Sequence, residues 1–149
     1  MARLGRSLVA ALLALAATLG ASQAEDPMHA TLDRAVVLKA NLTGHLMTDS
    51  PGPLRLYLSI VAFTVPRDRK PVEIVVSASA GGPGRELGRV AISPYVAFGV
   101  RNKSRRQEFA FLVPREFNDP TSLSITVALH PVNGGGAGAS LDVGGASMR

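Results

Sequence analysis

From Ala35 onward the apolar residues recur at every second position, the period of a strand with one buried face rather than the 3.6-residue period of a helix. Val36, Leu38, Ala40 and Leu42 share one face, with Val37, Lys39 and Asn41 opposite. Leu54, Leu56, Leu58, Ile60 and Ala62 repeat the pattern against Arg55, Tyr57 and Ser59. Val72, Ile74, Val76 and Ala78 alternate with Glu73, Val75, Ser77 and Ser79. Leu123, Ile125, Val127 and Leu129 alternate with Ser124, Thr126, Ala128 and His130. Shorter strands are expected at 87–92, 95–100, 108–113 and 140–143. Proline, glycine and asparagine punctuate the chain at 49–53, 66–71, 81–84, 93–94, 118–120 and 133–136, too often for helices of ordinary length. About seven to eight short strands, each greasy on one side, bury themselves best as two sheets packed face to face. The pattern predicts an all-β, two-sheet antiparallel β-sandwich over residues 35–149, with a small closed barrel as the alternative. The glycine-rich stretch 133–138 is expected to be a flexible hairpin loop, since no Lys and Ser or Thr follow it in the manner of a phosphate-binding loop.

The first residues follow a different logic. Arg3 and Arg6 precede an apolar run over 8–19, and Ser22-Gln23-Ala24 stands before Glu25-Asp26. Cations, a short apolar core and small residues at a cleavage point make residues 1–24 a secretory signal peptide. As a membrane anchor the run is too short: it spans about 18 Å as a helix, against a hydrocarbon core of about 30 Å. Removing 24 of the 149 residues leaves 125, with 25–34 expected to be a flexible N-terminal segment. The expected location is periplasmic or secreted, with no membrane association after cleavage.

Composition narrows the chemistry. The chain has no cysteine, which excludes disulfides, thiol nucleophiles and cysteine-held metals, so an exported domain of this size must be held by burial alone. The net charge of +5 falls to +3 once Arg3 and Arg6 leave. The remaining cations concentrate at Arg67, Arg69 and Lys70 and at Arg101, Lys103, Arg105 and Arg106, both between apolar runs. Neither cluster interleaves aromatics, so nucleic acid is not an expected partner and solvated loops are the simpler reading.

Catalytic groupings are missing. No Gly-x-Ser-x-Gly elbow occurs, and the acidic residues fall in turns or beside basic ones. An enzyme is therefore not expected, nor a cofactor. One metal alternative exists: Met28-His29 and His45-Leu46-Met47 pair thioether with imidazole, a ligand set that soft copper accepts, as in a small periplasmic copper carrier. A carbohydrate- or surface-binding module is a second alternative, although a chain with no Trp and two Tyr offers little for an aromatic platform.

Several segments carry a likeness: Leu56-Tyr57-Leu58-Ser59-Ile60 running to Val65-Pro66; Pro71-Val72-Glu73-Ile74-Val75-Val76; and Glu86-Leu87-Gly88-Arg89-Val90-Ala91 running to Phe98-Gly99. Ser124-Ile125-Thr126-Val127-Ala128-Leu129-His130-Pro131 and Leu141-Asp142-Val143-Gly144-Gly145 follow. Over about ninety residues this order resembles the β-sandwich domain at the carboxyl end of tyrosinases and plant-type polyphenol oxidases. Here it would be a stand-alone exported chain. The segment before the late strand, helical in that family, is reduced to residues 115–122. The resemblance implies a non-catalytic shield that packs over the copper site of a separate helical domain and places one side chain in its substrate pocket. Tyr95 and Phe98, which flank the Pro94 turn, are the candidates for that partner-binding role. The implied partner is another exported protein, a copper oxidase of the tyrosinase type.

Overall fold

The computed structural model describes residues 27–42, 53–99, 106–117 and 123–149. Among them the regular structure is all strand: β1 (Met28–Thr31), β2 (Val36–Lys39), β3 (Asn41–Leu42), β4 (Arg55–Thr64), β5 (Val72–Ser79), β6 (Arg85–Ile92), β7 (Gln107–Leu112), β8 (Ser124–Pro131) and β9 (Ser140–Met148). One sheet runs β1-β9-β4-β7 and the other β2-β8-β5-β6, every neighbour along these paths being antiparallel. The short β3 adds a two-residue parallel pair to the far end of β9. The expected two-sheet sandwich is the architecture observed.

Its core is the alternation of the sequence turned inward. Leu56, Leu58 and Ile60 of β4 face Val72, Ile74 and Val76 of β5 and Ile125, Val127 and Leu129 of β8, all of them buried. Among the described residues no buried polar or charged residue interrupts them. An interior of this kind needs no crosslink, because each fully buried aliphatic side chain stabilises by roughly 1.5–3 kcal/mol.

The phase of the alternation changes once in each of two paired strands. Between β4 and β9 the register runs Ser59 to Gly145, Ile60 to Val143 and Ala62 to Asp142, so Val61 and Gly144 are both extra residues in facing bulges. A Cβ on Gly144 would lie 2.6 Å from Val61 Cγ2, so only glycine lets the two bulges nest. Beyond the bulge Phe63, not Ala62, is the inward residue of β4, while β9 buries Leu141 and Val143 before it and Ala146 and Met148 after it.

Three expectations are corrected. Residues 25–34, expected to be loose, contain β1, whose Ala30 is wholly buried and which pairs with residues 140–143 of β9. The chain then turns at Thr31–Arg34 to join the edge of the other sheet as β2 and returns to the first as β3, stitching one side of the sandwich closed. Residues 95–99 are no strand: Pro94 and Tyr95 lie in a turn, and only Phe98 makes a single bridge, to Phe63. Proline fixes its φ and lacks a donor, which stops β6 before this point. Finally, the glycine-rich stretch 133–138 is tied down, as described below.

Candidate binding site

Three connections meet at one end of the sandwich, because Val72 pairs with both Ile92 and Pro131 and Thr64 pairs with Ser140. Two of them lock together. Arg67 N–H donates to the Ala137 carbonyl at 2.8 Å, and the Asp68 carboxylate accepts from the backbone N–H of Lys70 at 3.1 Å and of Gly136 at 3.0 Å. Lys70 Nζ donates to the Gly134 carbonyl. The N–H of Lys70 chiefly, joined by those of Gly136 and Ala137 and by the Lys70 charge, holds the Asp68 carboxyl below its ordinary range, with desolvation opposing. At Gly136 (φ 88°) an added Cβ would stand 2.5 Å from Val72 Cγ1, so this loop uses glycine for close approach rather than for mobility.

The third connection, after β6, crosses from that sheet's edge to the other sheet beside β4. Its anchor is Phe98, 7 % exposed, whose ring lies 6.0 Å from that of Phe63 and whose backbone exchanges both hydrogen bonds with Phe63. Its tip carries Tyr95 and Val96, 66 % and 61 % exposed, two adjacent large apolar side chains facing water. The Arg69 guanidinium carbon stands 6.0 Å from the centre of the Tyr95 ring, at the edge of cation–π range. A rigid base and an exposed aromatic tip are what a protein contact requires, since little order has to be imposed on binding.

Beside this anchor runs a groove of about 530 Å³, walled by Pro27, Val61, Val65, Ala97 and Phe98. Ala62 lies along it, and Gly99 closes against Ala62, where a Cβ would fall 2.5 Å from the alanine's own. Among the described residues Asp142 is the one titratable residue in its lining. The carboxylate is held by His29, whose Nδ1 lies 2.6 Å from Oδ1 across the β1–β9 pair.

Of the residues proposed for copper, the structure describes Met28 and His29 and turns them to opposite faces of β1. Met28 packs against the core while His29 faces outward to Asp142, as successive residues of a strand must, so the two do not converge. His45 and Met47 lie outside the described residues, as do Arg101, Lys103 and Arg105. Among the described residues no three His, Cys, Asp or Glu side chains gather as metal ligands. His130 is exposed on β8 opposite Glu73. Of the two partner-binding candidates, Tyr95 is at the surface and Phe98 beneath it. Val96 and Asp142 carry no mark in the sequence that singles them out. Compared with protein-family models, with curated proteins and with solved structures, the chain gives no match.

Proposed function

We propose that this chain is an exported, non-catalytic β-sandwich that binds another exported protein through the turn bearing Tyr95 and Val96. The single observation that carries the reading is that two large apolar side chains stand in water on a turn whose base is fixed in the core by Phe98. Apolar side chains on a rigid protrusion gain most when a complementary cleft takes them out of water. Arg69 beside Tyr95 favours a cleft with an acidic rim.

The partner proposed is a copper oxidase of the tyrosinase type, on the strength of the segments from Leu56 to Gly145 that resemble that family's carboxyl-terminal domain. In that role the turn would cover the mouth of the oxidase and keep phenols out. Titrating the exported chain into such an oxidase tests it: phenol oxidation should fall with added chain, and Tyr95→Ser should weaken the inhibition at least about tenfold, the loss of a buried aromatic anchor. No inhibition, or inhibition unchanged by Tyr95→Ser, contradicts the proposal.

A further inference from the structure

The groove beside Phe98 has features that protein binding by the turn does not use. Its volume of about 530 Å³ falls within the range that small-molecule sites occupy, about 300–1,000 Å³. Its walls are Pro27, Val61, Val65, Ala97 and Phe98, and among the described residues no lysine or arginine lines it. Two tight backbone features shape it: the bulge at Val61, and Gly99 at φ 139°, which brings the 97–99 segment against Ala62. Thr64 and one carboxylate, Asp142, are the polar residues of its lining. His29 occupies Oδ1 and so fixes the group's orientation, and among the described residues Asp142 makes no other side-chain bond. A largely apolar slot with a single oriented carboxylate selects by charge: a ligand must bring a donor and a positive charge to the carboxylate oxygen that His29 does not take, and an apolar body to the walls.

We propose that this groove binds small amphiphilic cations, molecules with a flat apolar body and a primary or secondary ammonium group that donates to Asp142. The site is separate from the exposed face of the Tyr95 turn and does not depend on what that turn contacts. Three probes with the same apolar body test it on the exported chain by amide NMR titration: phenethylammonium, 2-phenylethanol and 3-phenylpropionate. Phenethylammonium should shift the amides of Ala97, Gly99 and Asp142 saturably and bind about tenfold more tightly than the alcohol, the contribution of one charge-assisted hydrogen bond. The carboxylate should bind most weakly. Asp142→Asn should bring the ammonium down to the alcohol's affinity with resonances elsewhere unchanged. Equal binding of ammonium and alcohol to the unaltered chain would make the groove a plain apolar cleft and overturn the proposal. So would carboxylate binding as tight as that of the ammonium, or no saturable shift at these amides. These comparisons on the unaltered chain decide the matter even if Asp142→Asn does not fold.

Discussion

Gly99 sits at φ 139° with Ala62 Cβ 2.5 Å from where its own Cβ would be, so a side chain there is opposed both by backbone conformation and by space. Gly99→Ala should cost about 2–3 kcal/mol in urea unfolding. Phe98→Ala, which removes the ring packed on Phe63, should cost about 3 kcal/mol and free the amides of the turn to exchange. Tyr95→Ser, at an exposed tip, should change stability by no more than about 0.5 kcal/mol, so that its effect on binding is separable from folding. Asp68 gives a pH dependence of defined sign. Its carboxyl is held below the unfolded value, chiefly by the Lys70 N–H, so its contribution is complete above the unfolded pKa and is lost as pH falls through the folded one. Melting temperatures measured downward from pH 5 should fall less steeply for Asp68→Asn than for the unaltered chain. An identical acid slope in both would show that the carboxylate does not latch the two loops.

At the scale of elements, the N-terminal stitch protects an edge. β1 covers residues 140–143 of β9, and its removal would expose a row of unpaired backbone groups beside an apolar interior. A chain beginning at Leu32 should unfold at lower denaturant and self-associate in light scattering, whereas His29→Ala, which loses only an exposed pair, should cost less than about 1 kcal/mol. The same element illustrates how far a sequence can be read. Strands β4, β5 and β8 were legible because long runs of alternation, kept in β4 as far as Ile60, leave little choice of face. β1 was not, since four residues reading Met-His-Ala-Thr carry no periodicity and its partner lies 113 residues away, the separation of His29 from Asp142. The second half of β9 was hidden for a different reason: the bulge at Gly144 reverses the phase, so Val143 and Ala146 face the same way although the sequence puts them out of step. Tyr95 could be found from the Pro94 turn. The groove could not, because it exists only where the bulge in β4, the start of β9 and the 97–99 segment come together.

At the scale of the whole molecule, two sheets hold each other through aliphatic and aromatic side chains, in a chain without cysteine and with no buried charge among the described residues. Unfolding should therefore be cooperative and indifferent to reductant, with ion pairs such as Arg89 with Glu86 and Glu73 contributing little and serving to keep the β6 edge from pairing with other chains. Such a body is a stable mount, and its function is proposed to lie at the end where the loops 66–71, 93–99 and 132–139 gather. The most direct test of that claim is to place a photoactivatable aromatic residue at position 95 and, separately, at position 82 in the exposed loop between β5 and β6 at the opposite end, then irradiate the cells that produce the chain. A discrete crosslinked product with one exported protein is expected from position 95 and none from position 82. No product from position 95, or the same products from both positions, would contradict it.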